Sequence, residues 1–196
     1  MNKKIIILGS TGSIGKTLIK ILEKDKKKFK ILLLSANKNY KLLLRQVKIF
    51  NVKNIIITNK IIFLKVKKIL KGKKIKIYND FECFENIFKI NEADYTMSAI
   101  SGLEGLRPTL NIIKYTKKIA IANKESIICG WPLIFKNLKK YKTNFIPVDS
   151  EHFSILSLID QDYSGIEKIF ITASGGPFNK YPLNKFKLIT PKLALN

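Results

Sequence analysis

Short, uninterrupted apolar runs recur along the chain, and they constrain the fold more than any other feature. Two examples are residues 5–8 (Ile-Ile-Ile-Leu) and 31–34 (Ile-Leu-Leu-Leu). A strand that is apolar at every position, rather than at alternate positions, has both of its faces covered. Longer segments with helical patterning separate these runs, and this alternation is typical of a parallel sheet. The sequence therefore predicts an α/β fold with a doubly wound parallel sheet.

The elements of this sheet can be placed from the same alternation. Strands are predicted at Lys4–Leu8, Lys30–Ser35, Asn54–Thr58, Lys74–Tyr78, Asp94–Ile100, Lys118–Ala122, Asn144–Val148 and Glu167–Thr172. Helices are predicted at Ile14–Lys24, Tyr40–Phe50, Ile61–Lys71, Phe81–Phe88, Pro108–Tyr115, Ser126–Tyr141 and Ser150–Ile159. Residues 189–196 have the pattern of a further helix start. A chain of 196 residues can hold one sizeable domain together with the start of a second.

Composition excludes several classes of protein. No stretch approaches the roughly 18 apolar residues of a membrane-spanning helix, and the N-terminal apolar run is too short for the core of a signal peptide. The two cysteines, Cys83 and Cys129, fall short of a disulfide framework and lack metal-ligand spacing. We therefore expect a soluble protein of a reducing compartment, the cytoplasm, without a membrane partner.

The charge is strongly positive, with a formal net charge of +23. Such a charge ordinarily suggests a nucleic-acid partner. However, only Arg45 and Arg107 are arginines among the 37 basic residues, and arginine is the residue that recognises bases and phosphates through two hydrogen bonds. The lysines are also dispersed along the chain. A/T-rich codon usage explains the excess more simply, and we expect no nucleic-acid partner.

The first predicted strand runs directly into a glycine-rich turn at residues 9–15 (GSTGSIG). Such a turn lets the backbone approach a pyrophosphate closely and packs the following helix tightly on the strand. N–H groups at the helix N-terminus then face the phosphate charge, and Thr11 and Ser13 can add hydroxyl donors. Glycine-rich turns also occur as plain connections, but strand, turn and helix in this order favour dinucleotide binding.

The segment after the second predicted strand bears on the choice of dinucleotide. An NAD site usually places Asp or Glu there to hold the ribose hydroxyls. This chain has Asn37, Lys38 and Asn39 instead, so one cation and two amides are available to a 2′-phosphate. The pattern favours NADP(H), although Lys38 is also explained as one more lysine in a lysine-rich chain.

Two later segments place polar side chains where strands are expected to end, which is where ligands bind in open α/β sheets. Residues 122–126 (ANKES) form the first, and taken alone they better fit the polar first turn of a helix. The second carries Asp149 and Glu151, whose carboxylates project to the same side of an extended segment. Oxygen ligands without cysteine suit Mg²⁺ or Mn²⁺ better than Zn²⁺. The alternative is a helix cap at Asp149 or Ser150.

Two further features lie in the same part of the chain. His152, the sole histidine, adjoins the two acids, and a supporting role on a helix face explains it better than a catalytic one. In residues 172–178 (TASGGPF), adjacent glycines allow backbone N–H groups to turn toward an anion, and Ser174 adds a hydroxyl. An ordinary turn is the alternative for residues 172–178.

Four of these motifs, taken in order, resemble the N-terminal half of the 1-deoxy-D-xylulose 5-phosphate reductoisomerase family, enzymes of non-mevalonate isoprenoid synthesis. They are residues 9–15 (GSTGSIG), 122–126 (ANKES), 147–152 (PVDSEH) and 173–178 (ASGGPF). Each motif alone is weak, whereas four in series at plausible spacing are specific. The resemblance implies a Rossmann-like NADPH-binding domain in residues 1–148, and the beginning of an α/β catalytic domain in residues 149–196.

The resemblance also implies an activity and a set of site residues. The activity is that of an NADP-dependent oxidoreductase and isomerase: a metal-assisted rearrangement of 1-deoxy-D-xylulose 5-phosphate, then hydride transfer from NADPH, giving 2-C-methyl-D-erythritol 4-phosphate. The implied cofactor-binding residues are Thr11, Gly12, Ser13, Ile14, Asn37, Lys38, Asn39, Asn123 and Glu125. Asn37 stands where the family often has a small residue. The implied metal ligands for Mg²⁺ or Mn²⁺ are Asp149 and Glu151, the implied catalytic residues are Lys124 and Glu151, and the implied substrate contacts are Lys124, Ser150, Glu151 and Ser174.

The family pattern continues with a loop carrying histidine and tryptophan, a segment with a third metal-binding glutamate, and a C-terminal helical domain. None of these follows Asn196 in this sequence. We therefore expect a fragment that binds NADPH and catalyses poorly or not at all, from a full-length homodimer. The alternatives are a truncated, non-catalytic NADPH-binding module and a semialdehyde or homoserine-type dehydrogenase. The dehydrogenase needs a catalytic cysteine or an unassisted Lys–Asp pair, and Cys129, in an apolar helical stretch, is a poor nucleophile.

Overall fold

The computed structural model describes residues 2–148, 150–159, 165–170 and 178–194, with only the backbone at residues 150, 151 and 194. The chain divides into two compact units, Met1–Phe153 and Ser154–Asn196. The first unit contains a parallel sheet and its flanking helices. In the second, the described helical segments after residue 159 are a 3₁₀ helix at Leu183–Leu188 and a short α-helix at Pro191–Ala194.

The sheet of the first unit has seven parallel strands. In chain order they are β1 (Lys3–Leu8), β2 (Phe29–Ala36), β3 (Asn54–Ile57), β4 (Lys76–Tyr78), β5 (Tyr95–Ser98), β6 (Lys118–Ile121) and β7 (Asn144–Pro147). Their order across the sheet is β4-β3-β2-β1-β5-β6-β7. From β1 the chain thus moves outward through β2 and β3 to β4 at one edge of the sheet. It then returns to the other side of β1 at β5 and moves outward through β6 to β7 at the opposite edge. This order confirms the predicted doubly wound fold.

Helices connect successive strands across both faces of the sheet. They are α1 (Ser13–Lys24), α2 (Tyr40–Phe50), α3 (Lys60–Ile69), α4 (Phe84–Ile87), α5 (Leu106–Ile112) and α6 (Lys124–Tyr141). Two further helices follow the last strand in sequence, α7 (Ser150–Ile159) and α8 (Pro191–Ala194). Three 3₁₀ turns lie at Lys26–Lys28, Leu103–Gly105 and Ile113–Tyr115. No helix in the described ranges combines the length and the apolarity needed to cross a bilayer.

The core consists of two apolar layers, one on each face of the sheet. Ile5 and Ile7 of β1 belong to the layer formed with α1, α2 and α3, whereas Ile6 and Leu8 belong to the layer formed with α4, α5 and α6. Successive side chains of a strand point to opposite faces. A strand between two helical layers is therefore apolar at every position, which explains the continuous runs in the sequence.

Asparagine side chains cap the N-termini of three helices. Asn39, Asn59 and Asn123 each accept a hydrogen bond from a first-turn backbone N–H of α2, α3 and α6, at 3.2, 3.0 and 2.6 Å respectively. Such caps satisfy donors that a helix leaves without an internal partner. Helices α1, α4 and α5 have no side-chain cap, and Gly12 precedes α1.

Several predicted elements differ from the observed ones. Residues 167–170 are not strand; Ile169 and Phe170 have exposed side chains (52% and 84%), and no described strand pairs with them. A strand is stable only when a neighbour satisfies its backbone groups; residues 171 and 172 lie outside the described part of the chain. The predicted helix at 81–88 is limited to α4, and α6 begins two residues earlier than predicted because Asn123 caps it. Helix α8 confirms a helix start near the end of the sequence.

Candidate functional site

A cleft of about 650 Å³ opens at the carboxyl ends of the strands on both sides of β1. Ligands bind at this position in doubly wound sheets, where the strand order reverses. We refer to it as the long cleft. Its lining residues are Gly9, Thr11, Gly12, Ser35, Ala36, Asn37, Thr58, Asp80, Phe81, Glu82, Ala99, Ile100, Ser101, Glu104, Arg107 and Pro108.

The glycine turn after β1 forms the floor of the long cleft. Gly9 has a φ of +78°, and a Cβ there would lie 2.5 Å from the carbonyl oxygen of Ala99. At Gly15, a Cβ would overlap the carbonyl oxygen of Gly9 and lie 2.6 Å from Cα of Ser10. At Gly12, the nearest atom would be 3.4 Å away. Gly15 therefore allows α1 to pack directly on the turn, and Gly9 allows the turn to approach the backbone after β5. Gly12 presents bare backbone to the cleft.

The N-terminus of α1 suits an anion at this floor. The first N–H groups of a helix have no partner within the helix, and the helix dipole makes that end positive. Since no side chain caps α1, these donors remain available, and Gly12 leaves room for a phosphate to approach them. The residues present therefore fit a pyrophosphate group at this turn.

A buried hydrogen-bond network holds the turn against β2 and α2. The backbone N–H of Gly9 donates to Ser35 Oγ at 2.8 Å, and that of Ser10 donates to the Ser35 carbonyl at 2.9 Å. Gln46 of α2, which is 2% exposed, accepts from Ser10 Oγ at 2.7 Å and donates to the Ser10 carbonyl at 2.9 Å. These bonds fix the turn from two sides. Sequence reasoning did not identify Gln46, because no local pattern marks it.

The segment after β2 carries the residues that the sequence assigned to cofactor choice. Asn37 lines the long cleft, and Lys38 and Asn39 are exposed beside it. The Asn39 side-chain oxygen is used as the cap of α2, so its amide nitrogen is the part left for other contacts. No carboxylate lies in residues 35–39, which leaves this end of the cleft open to a phosphate.

A smaller recess of about 300 Å³ adjoins the long cleft and shares three lining residues with it, Ala99, Ile100 and Ser101. Its other lining residues are Ile14, Ala122, Asn123, Lys124 and Glu125. The structure thus brings the glycine turn and the ANKES segment to one place, although they are more than a hundred residues apart in sequence.

Within this recess, the side chains of Asn123, Lys124 and Glu125 differ in their surroundings. Asn123 is 3% exposed, and its amide donates to the carbonyl oxygens of Ile100 and Gly102 while its side-chain oxygen caps α6. Its side chain therefore holds the loop after β5. Lys124 and Glu125 are exposed, and their charged groups are free to meet a ligand.

The remaining predicted residues are only partly covered by the structure. Asp149 and Ser174 lie outside the described residues, and Ser150 and Glu151 are described only as backbone of α7. His152 is exposed on the same helix. Among the described side chains, no three His, Cys, Asp or Glu residues lie close enough to hold a metal ion. The predicted metal and substrate contacts in this region stay predictions.

The wall of the long cleft contains charged residues that sequence reasoning missed. Asp80 and Glu82 follow β4, and Glu104 and Arg107 lie in the turn after β5 and the start of α5. Arg107 Nη2 donates to Glu82 Oε1 at 2.7 Å. Only the scarcity of arginine in this sequence could have drawn attention to Arg107.

The cysteines bear on the alternative of a thiol nucleophile. Burial, reinforced by the nearby Asp80 carboxylate, raises the pKa of Cys83 to about 12, and its Sγ donates to the Asp80 carbonyl at 3.2 Å. Since the thiolate is the reactive form, Cys83 is unreactive near neutral pH. Cys129 is exposed on α6 and lines neither the long cleft nor the recess. Neither cysteine supports that alternative.

The sheet order, the glycine turn and the cleft at the switch point together define an α/β protein of the doubly wound class, a fold that binds dinucleotides at this position. A family model described as 1-deoxy-D-xylulose 5-phosphate reductoisomerase matches residues 5–130, and the model of its C-terminal domain matches residues 145–196. The chain belongs to the 1-deoxy-D-xylulose 5-phosphate reductoisomerase family.

Relatives of known sequence and structure agree with this assignment. The reductoisomerase of Pelagibacter ubique is 61% identical over 195 residues, a match that covers 98% of this chain and 50% of the relative. The Zymomonas mobilis enzyme in complex with NADPH has a TM-score of 0.80 and 32% identity, covering 100% of this chain and 52% of that structure. A reductoisomerase complex with NADPH, fosmidomycin and magnesium has a TM-score of 0.78 and 28% identity, covering 99% and 50%. The chain spans about half the length of the curated relatives it matches.

Substitution of Gly15 and of Gly12 should lower stability by different amounts. Gly15→Ala places a methyl group against the backbone of residues 9 and 10, so we expect the free energy of unfolding to fall by about 2 to 3 kcal/mol. Gly12→Ala meets only ordinary contacts and should cost about 1 kcal/mol or less. Urea denaturation of both variants measures the difference. Equal losses would show that the close approach at Gly15 does not control packing.

Proposed function

We propose that the long cleft binds NADPH. The observation that carries the proposal is the uncapped N-terminus of α1, which follows an open glycine backbone at the carboxyl end of the central strand β1. The pyrophosphate would receive the first-turn N–H groups of α1, with hydroxyl donors from Thr11 and Ser13. The Zymomonas mobilis relative, solved with NADPH, supports the same assignment.

The two ends of the dinucleotide follow from the order of the strands. The loop after β2 is where the adenosine ribose lies in this fold class, so Asn37, Lys38 and Asn39 would hold the ribose and its 2′-phosphate. The nicotinamide would then extend across β1 toward the recess. There Ile14, Asn123 and Glu125 line its side of the site, and Asn123 keeps that wall in place through its two carbonyl contacts.

The preference for NADPH over NADH is testable at Lys38. Removing this cation in Lys38→Ala should weaken NADPH binding by about tenfold, since one charged hydrogen bond to phosphate is lost, and leave NADH binding unchanged. Lys41→Ala, at an exposed position in the first turn of α2, is the matched control. Fluorescence titration of the 196-residue chain with each reduced cofactor gives both dissociation constants. A loss shared equally by both cofactors would contradict a 2′-phosphate role.

We also propose that the longer protein converts 1-deoxy-D-xylulose 5-phosphate to 2-C-methyl-D-erythritol 4-phosphate, with residues 149–196 beginning its catalytic domain. Lys124, exposed at the recess, would contact the substrate near the reacting carbons, and Ser150 and Ser174 would donate to its hydroxyl or phosphate oxygens. Asp149 and Glu151 would hold Mg²⁺ or Mn²⁺. When bound, NADPH supplies hydride and the divalent cation stabilises negative charge on the substrate oxygens. A relative solved with NADPH, fosmidomycin and magnesium supports these partners.

The metal role of Glu151 predicts a specific loss. In the full-length protein, Glu151→Gln removes a charged oxygen ligand, so NADPH oxidation with the deoxyxylulose phosphate should fall by at least about a hundredfold. The required metal concentration should rise at the same time. Glu23→Gln, at an exposed position on α1, serves as the control. Activity that survives Glu151→Gln undiminished, or that persists in EDTA, would contradict the assigned role.

We propose further that the full-length protein is a cytoplasmic homodimer that takes a small sugar phosphate and neither nucleic acid nor membrane as partner. The dispersed lysines and the scarcity of arginine support the exclusion of nucleic acid. The two free cysteines suit a reducing compartment. Sedimentation equilibrium of the full-length protein should give twice the mass of one chain, and a single-chain mass at micromolar concentration would contradict the dimer.

A further inference from the structure

The long cleft has an unusual charge for this chain. The protein carries a net charge of +23, yet the residues that line the cleft include three carboxylates, Asp80, Glu82 and Glu104, and no lysine. The one cation among the lining residues of the described chain is Arg107. Arginine and lysine differ in shape, because the guanidinium is planar and can stack on a ring while its edge donates hydrogen bonds.

Arg107 joins two walls of the cleft through its ion pair with Glu82. The pair spans 25 residues of sequence, from the segment after β4 to the start of α5. Both side chains are largely exposed, at 79% and 62%. Exposed ion pairs of this kind contribute little to folding stability. Fold stability therefore does not account for the pair, whereas its place at the cleft suggests a role in binding.

The backbone on each side of the pair is fixed. Thr109, two residues after Arg107, donates its hydroxyl to the Gly105 carbonyl at 2.6 Å and shares a 2.7 Å hydrogen bond with Ser98 of β5. On the opposite wall, Asp80 Oδ1 accepts from the backbone N–H of Glu82 at 3.0 Å. The guanidinium is thus held between two anchored segments.

The position of the pair identifies the part of the dinucleotide that it faces. Strands β2, β3 and β4 lie successively on one side of β1. At their carboxyl ends the cleft is lined by Asn37 after β2, Thr58 after β3 and the segment 80–82 after β4. Because the adenosine ribose lies at the end of β2, the lining beyond it, toward β3 and β4, faces the adenine ring. Arg107 is paired with a residue of this outer segment.

We propose that Arg107 is a further cofactor-binding residue, whose guanidinium plane stacks on the adenine ring while its edge stays hydrogen-bonded to Glu82. The inference rests on the proposed NADPH function of the same cleft. Adenine is favoured over the 2′-phosphate as its partner, because a phosphate would have to displace Glu82 and approach Asp80 and Glu104. A neutral ring brings no charge toward these carboxylates and leaves the ion pair intact. Glu82 acts as a positioning residue that orients the guanidinium.

The test compares reduced cofactors that differ only in the 2′-phosphate. Arg107→Leu should weaken NADPH and NADH binding to the 196-residue chain by the same factor, about five- to tenfold, since ring stacking is lost for both. Arg107→Lys should recover only part of the loss. The matched control is Arg45→Leu, which removes the chain's other arginine, an exposed residue of α2 that does not line the cleft, and should change neither constant.

A double-mutant cycle tests the role of Glu82. Glu82→Gln should weaken binding of both cofactors by about two- to threefold, and combining it with Arg107→Leu should add nothing to the single arginine variant. A loss confined to NADPH would overturn the proposal in favour of a phosphate contact, and unchanged binding in Arg107→Leu would overturn it outright. Failure of the unmutated chain to bind NADPH would overturn the proposed function as well, so the two failures are distinguishable.

Discussion

The close approach of α1 to the end of β1 is the contact on which the site depends. It exists because Gly15 has no side chain where the helix meets the turn. Any larger residue at this position would push the helix away and turn its N-terminus out of the cleft. The network from Gln46 to Ser10 and Ser35 then fixes the turn against the neighbouring strand and helix. The geometry of the turn is thus set by packing and by buried polar groups together.

Much of the fold could be predicted from the sequence because the responsible signals are local. Continuous apolar runs predicted strands with two covered faces, and all seven strands of the sheet were expected close to their observed positions. The glycine turn was recognised from its place between a strand and a helix, and the four motifs in series predicted the family. Ligands of a parallel sheet bind at the carboxyl ends of its strands, and Thr11, Gly12 and Asn37, which were predicted to share one site, line the same cleft.

The rest depends on contacts between residues far apart in the chain, which periodicity does not reveal. Glu82 and Arg107 meet only because the segment after β4 and the start of α5 face the same cleft. Gln46 reads as an ordinary helix residue until its amide is seen to bond Ser10. Asn123 was expected to line the cofactor pocket. It lines the recess, and its amide donates to two carbonyl oxygens of the loop after β5. The strand predicted at residues 167–172 failed for a related reason, since composition alone does not supply a pairing partner.

The central position of β1 has a consequence for how the protein is made. This strand is completed on one side by β2 and on the other by β5, whose partner residues lie about ninety positions later in the chain. Pairings of such long range form slowly, and synthesis on the ribosome proceeds from the N-terminus. The glycine turn therefore leaves the ribosome long before the strand beside it exists. Until β5 emerges, the apolar strand β1 has one open edge, and an open edge of this kind is a template for aggregation.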